Sequence, residues 1–136
     1  MNTDPEWSQY VAPEKYRQNL ISILTSPVIA AQSPKIILIT PPPVEETTLL
    51  SLLQPNDSGT IRLAKDAAAY AQIVRDIGAQ YNIPVLDVWT LFMEKAGWKV
   101  GEALPGSKEL GKNAVLAELL SDGEFLVLCD CVELML

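Results

Sequence analysis

Two short runs of branched apolar residues stand out along the chain, and a long amphipathic segment separates them. The first run lies within residues 35–43 and ends in Pro41, Pro42 and Pro43, and the second covers residues 83–89. Short branched runs predict strands that are buried on both faces, as in a parallel sheet. Since proline lacks the amide hydrogen that a sheet needs, the first strand must leave the sheet at Pro41. Open α/β sheets place their ligands at the carboxyl ends of strands, so function is expected there.

Helical spacing of apolar residues predicts the elements around these strands. A helix is expected to begin at Pro13, which suits a first helical turn, and to end at Pro27. Between the two strands, one apolar stripe rich in alanine predicts a crossover helix packed on the sheet; the stripe comprises Leu63, Ala67, Tyr70, Ala71, Val74, Ile77, Gly78 and Tyr81. Further predictions are a short helix that ends at Gly97, a loop over 98–112, a helix over 115–120 and a third strand over 125–129.

These elements predict a single α/β domain that spans residues 1–136, a length typical of one domain. The net charge of −7 argues against nucleic acid and against an anionic membrane surface as partners. No apolar run approaches the roughly 20 residues that a bilayer requires, and no basic leader opens the chain. We therefore expect a cytoplasmic protein.

The chain contains no histidine, which removes both the usual general base and the commonest transition-metal ligand. Cys129 and Cys131 are too close in sequence for an unstrained disulfide, and further metal ligands are lacking. The chain also has no glycine-rich phosphate-binding motif. We expect packed or free thiols, no metal and no cofactor.

Other polar and aromatic residues have ordinary structural interpretations. Ser107 would need a base to become a nucleophile, and its surroundings indicate a loop. Glu45 and Glu46 resemble a carboxylate pair, yet neighbours in sequence do not face each other, so we expect both to be exposed. Trp89 and Trp98 are expected to serve in packing rather than as a platform for a ligand.

Five blocks of sequence occur in an order and spacing that are typical of one enzyme family. They cover residues 13–20, 35–43, 83–89, 96–98 and 117–123. Together they resemble the carboxyl-terminal half of the SGNH hydrolases (GDSL-type esterases), in particular the isoamyl acetate-hydrolysing esterase group. The similarity extends over most of residues 13–123.

The resemblance implies a flavodoxin-like α/β/α sandwich with about five parallel strands. It also implies hydrolysis of a small short-chain carboxylic ester, such as an acetate. In the family, a serine in a GDSL-like block attacks the ester, and a D-x-x-H block supplies the acid and the base. A glycine and the asparagine of a G-x-N-D block help to stabilise the oxyanion.

The catalytic blocks themselves do not survive in this chain. No Gly-Asp-Ser sequence occurs, and Asn56-Asp57 lies in a turn-like stretch without the preceding glycine of a G-x-N-D block. The D-x-x-H block is represented by residues 122–125, where Asp122 keeps the acid and Phe125 replaces the histidine. Asp122 is thus the one candidate catalytic residue, and without a histidine to orient we expect it to serve as a turn residue.

Three interpretations remain open. The first is a truncated or inactive form of an SGNH-type esterase, because the resemblance stops after Gly123. The second is a non-catalytic binding or regulatory partner of a full-length esterase or of another protein, through exposed sheet edges. The third and least favoured is residual hydrolase activity that uses other groups.

Overall fold

A computed structural model describes residues 10–52 and 62–121 of the chain. Within these residues the helices are α1 (Pro13–Leu24), α2 (Pro27–Gln32), α3 (Glu46–Leu52), α4 (Ala64–Tyr81), α5 (Val88–Lys95), a 3-10 helix (Lys108–Leu110) and α6 (Ala114–Leu119). The strands are β1 (Leu38–Ile39) and β2 (Val85–Leu86). No helix in this part of the chain has both the length and the apolar character needed to cross a membrane.

The two strands form a parallel pair, with Leu38 opposite Val85 and Ile39 opposite Leu86. The amide of Leu38 donates to the carbonyl of Pro84 at 2.9 Å, and the amide of Thr40 donates to the carbonyl of Leu86 at 3.1 Å. Helix α4 connects the strands, as its apolar stripe predicts. The α/β class is therefore confirmed in its coarse form: the described residues are mostly helical and contain a parallel sheet of two strands.

One part of the core joins α1 and α4 to the sheet. Its buried members are Leu20, Leu38, Ile73, Val74 and Ile77. The apolar spacing on α1 and α4 brings these residues to one side of each helix, so that both helices bury an apolar face together. Burial of this surface is the main stabilising contribution to the arrangement.

A second part of the core joins α4, α5 and α6. Ala71, Trp89, Met93 and Leu116 are buried together there. The rings of Trp89 and Trp98 meet edge to face, with their centroids 5.2 Å apart. The prediction that both tryptophans serve in packing is confirmed.

Several predicted boundaries differ in the structure: the strands are shorter than predicted, and the 3-10 helix lies within the predicted loop over 98–112. Helix α1 begins at Pro13 as predicted but ends at Leu24, and Pro27 begins the separate helix α2 rather than ending the first helix. Proline fits the first position of a helix because the amide hydrogen that it lacks has no partner there. The second strand ends at Leu86 rather than Trp89, because Asp87 caps α5 and the chain turns into that helix. The predicted third strand over 125–129 lies outside the described residues.

The prediction that the strands are buried on both faces is wrong for the described residues. Leu38 packs against α1 and α4 and is only 8% exposed. In contrast, Ile37, Ile39 and Leu86 are 65%, 55% and 48% exposed. The cause is that α1 and α4 pack on the same side of the sheet, and no described helix covers the other side. We call the surface formed by Ile37, Ile39 and Leu86 the open sheet face.

Helix α4 approaches β2 so closely that only glycine fits at position 78. A Cβ on Gly78 would overlap Cγ2 of Val85 and would lie 3.1 Å from the carbonyl oxygen of Ile83. Glycine costs about 1 kcal/mol relative to alanine inside a helix. The close contact between helix and strand offsets this cost.

Replacement of Gly78 by alanine is therefore expected to destabilise the protein by about 1–3 kcal/mol, although alanine is the better helix former. Chemical denaturation followed by circular dichroism measures the change. The double variant Gly78→Ala, Val85→Ala removes the overlapping methyl group and should recover part of the loss. A stabilising effect of Gly78→Ala alone would show that helix and strand do not approach in this way.

Candidate functional site

The carboxyl ends of both strands carry polar residues, as expected of an α/β site. Strand β1 is followed by Thr40 and the three prolines, and β2 is followed by Asp87. The two side chains meet, because the hydroxyl of Thr40 donates to Oδ1 of Asp87 at 3.1 Å. The strand ends are where the sequence predicts a site, although no sequence pattern singles out this pair.

Asp87 is also bound by three groups of two further residues, Thr90 and Arg75. Its Oδ1 accepts from the amide of Thr90 at 3.1 Å, which caps α5, and its Oδ2 accepts from the Thr90 hydroxyl at 2.7 Å. Nη1 of Arg75 lies 3.1 Å from Oδ2. Burial raises the pKa of Asp87, but the hydrogen bonds from Thr90 and the charge of Arg75 outweigh it, so the pKa lies below its usual range. Asp87 is consequently ionised at neutral pH and is a poor general base.

Thr40 is fixed as firmly as its partner. Its residue surface is only 1% exposed. While its hydroxyl donates to Asp87, the same oxygen accepts from the amide of Trp89 at 2.9 Å. A hydroxyl that is buried and bonded in both directions cannot reach an ester in solution. The Thr40–Asp87 pair therefore joins the ends of the two strands.

Glu45 connects α3 to α6. Its Oε2 accepts from the amide of Thr48 at 2.7 Å, which caps the start of α3. Its Oε1 accepts from the amide of Asn113 at 3.3 Å. The side chain of Asn113 in turn caps α6 by accepting from the amide of Leu116 at 3.0 Å. One carboxylate thus orients the amino ends of two helices.

Glu46 connects α3 to α4 and to the 3-10 helix. Its Oε1 accepts from the amide of Ala64 at 2.8 Å, and its Oε2 accepts from the amide of Lys108 at 3.0 Å. Leu63, at the N-cap of α4, offers no side-chain cap, so Glu46 supplies the acceptor from elsewhere in the chain. The amide of Glu46 also donates to the carbonyl of Gly106 at 2.7 Å.

The predicted exposure of this glutamate pair is wrong. Glu45 is 2% exposed and Glu46 is 5% exposed. A buried carboxylate is stable when all its oxygens accept hydrogen bonds, and amide donors at helix starts add the favourable field of the helix dipole. The one signal in the sequence is the position of the pair immediately before a helical segment, and that position does not reveal the distant donors.

Several residues from the sequence analysis lie outside the described residues. They are the candidate catalytic residue Asp122, the Asn56-Asp57 pair, and Cys129 and Cys131. Ser107 is described: it immediately precedes the 3-10 helix, and its hydroxyl donates to no potential base within residues 10–52 and 62–121. In the same ranges, no cluster of three or more acidic, cysteine or histidine side chains has the geometry to hold a metal ion.

Comparisons with family models, curated proteins and solved structures gave no match to this chain. The resemblance to SGNH hydrolases consequently stays a prediction from sequence blocks. The chemistry open to the site depends on its own geometry. That geometry is a set of carboxylates and a hydroxyl whose acceptor and donor positions are used within the fold.

Replacement of Glu46 by glutamine is expected to destabilise the protein by about 1–3 kcal/mol, because an amide nitrogen would then face a backbone donor that has lost its acceptor. Thermal and chemical denaturation measure the loss. Glu94→Gln is the matched control, since Glu94 is exposed on α5 and the same change there should cost under about 0.5 kcal/mol. Equal effects of the two substitutions would contradict the structural role of Glu46.

Proposed function

We propose that this chain is a non-catalytic form of an SGNH-type esterase unit, built as part of a flavodoxin-like sandwich. The observation that carries the proposal is the state of the strand ends, where Thr40 and Asp87 are bound to each other and to the backbone. The order and spacing of the five sequence blocks support the proposed relation to SGNH-type esterases. The cytoplasmic location expected from the sequence belongs to the same proposal.

Ester hydrolysis of the SGNH type requires a hydroxyl activated by a neighbouring base and donors that stabilise the oxyanion. The chain has no histidine to act as that base. Asp87 is a weak substitute, because Arg75 and Thr90 hold its pKa below the usual range. Glu45 and Glu46 are buried, and all four of their carboxylate oxygens accept backbone amides.

The purified chain is expected to hydrolyse p-nitrophenyl acetate no faster than buffer containing an inert protein of similar lysine content. An active SGNH esterase in the same assay provides the positive control. Asp122→Ala should leave this background rate unchanged. Turnover well above background that disappears in Asp122→Ala would show that Asp122 is catalytic and would overturn the proposal.

A second candidate function is binding of a protein partner, and the edge of the sheet favours it. The amides of Leu38 and Thr40 point toward β2. Because amides alternate along a strand, those of Ile37 and Ile39 point toward the outer edge, where no other described strand pairs. Such an edge accepts an added strand from a full-length esterase or another α/β protein.

The binding candidate predicts a stoichiometric complex between this chain and a full-length SGNH esterase in size-exclusion chromatography with light scattering. Ile37→Pro removes an outward amide while leaving the bonds to β2 intact, and it should abolish the complex. Ile37→Thr keeps the amide and the branched shape, so it should still bind. Absence of a complex with the unmodified chain would count against this candidate.

A further inference from the structure

The open sheet face is unusual for a parallel sheet. Strands in such sheets are normally covered on both faces. Here Ile39 and Leu86 are partners in register, Ile37 precedes Ile39 on the same side, and all three side chains are about half exposed or more. A contiguous apolar surface of this kind marks a contact with another segment or molecule.

The same chain contains a segment suited to this surface. Residues 124–136 lie outside the described part of the chain, and ten of these 13 residues are apolar: Phe125, Leu126, Val127, Leu128, Cys129, Cys131, Val132, Leu134, Met135 and Leu136. The remaining three are acidic: Glu124, Asp130 and Glu133. A segment of this composition gains free energy by removing its side chains from water.

The segment is long enough to reach the open sheet face. The described chain ends at Ser121, just after α6, which packs in the core beside α5. The 15 residues that follow span up to roughly 50 Å when extended. A domain of about 100 residues has a radius of gyration of about 13 Å. Lys35, exposed just ahead of β1, adds a positive charge near the face that complements the acidic residues of the segment.

We infer that residues 124–136 of the same chain pack across the open sheet face and cover Ile37, Ile39 and Leu86. A segment tethered to the domain competes at an effective concentration in the millimolar range. A second copy has no such advantage, and it must also approach against a net charge of −7 on each chain. The tethered segment is therefore the favoured occupant. This surface is the side-chain face of the sheet, and it is separate from the backbone edge of β1.

The two cysteines of the chain provide a direct test, because both lie in this segment and no other thiol is present. In the intact monomeric chain, Cys129 and Cys131 should react with a thiol reagent such as Ellman's reagent at least about tenfold more slowly than in the chain unfolded by denaturant. Light scattering reports the molecular mass in the same solution.

Substitutions on the open sheet face should remove this protection. Ile39→Asp and Leu86→Asp are expected to return the thiol reactivity toward the unfolded rate. Leu86 lies on β2, so its substitution leaves the edge of β1 unchanged. Val100→Asp is the matched control, since Val100 is 91% exposed in the loop after α5. It should leave the reactivity unchanged. Circular dichroism verifies that each variant keeps its helices.

Three outcomes would overturn the inference. They are thiols in the monomer that react at the unfolded rate, protection that survives both aspartate substitutions, and protection that rises with protein concentration together with a dimeric mass. If the aspartate variants do not fold, Ile39→Cys replaces them. On mild oxidation it should form a disulfide to a tail cysteine within one chain, whereas Val100→Cys should not. Absence of this crosslink in folded Ile39→Cys would likewise overturn the inference.

Discussion

Amides at the start of a helix have no acceptor within that helix, and two adjacent buried glutamates supply the acceptors here. Glu45 and Glu46 accept from four amides, and each of these amides lies at or near the start of a different helix, in α3, α4, the 3-10 helix and the segment that leads into α6. The donors are up to 68 residues distant in sequence. The pair therefore fixes the amino ends of these elements relative to one another, and Asp87 caps the amino end of α5.

This use of carboxylates limits the chemistry of the domain. In open α/β sheets, the carboxyl ends of strands are the usual place for a ligand. In this chain the groups at that edge are buried or ion-paired, and Thr40 and Asp87 are bound to each other. An acidic residue serves as a base only when its pKa approaches the working pH and a substrate reaches it. The first condition does not hold for Asp87, whose pKa lies below its usual range, and the chain offers no imidazole in its place.

The spacing of apolar residues along the chain predicts an element correctly where burial of one face is what determines that element. The stripe on α4 is such a case, because its period reports which face is covered. The branched runs predict that β1 and β2 are strands but not which of their faces is covered. The burial of Glu45 and Glu46 was not predictable from sequence, since it depends on amides at Ala64, Lys108 and Asn113 that approach only after folding. The exposure of Ile39 was not predictable either, because an apolar residue in a strand does not reveal whether a second layer of the fold covers it. The early end of β2 was predictable, because Asp87 is a residue type that commonly caps the start of a helix. Its side chain accepts from the amide of Thr90, three residues later.

Amide hydrogen exchange measured by NMR tests the role of the glutamate pair most directly. The amides of Thr48, Ala64, Lys108 and Asn113 lie at or just before the starts of helices, where exchange is usually fast because no intrahelical acceptor exists. If the glutamate pair holds these helix starts, all four amides are protected as well as amides within α4. Exchange of these four amides at unprotected rates, in a protein whose α4 amides remain protected, would contradict it.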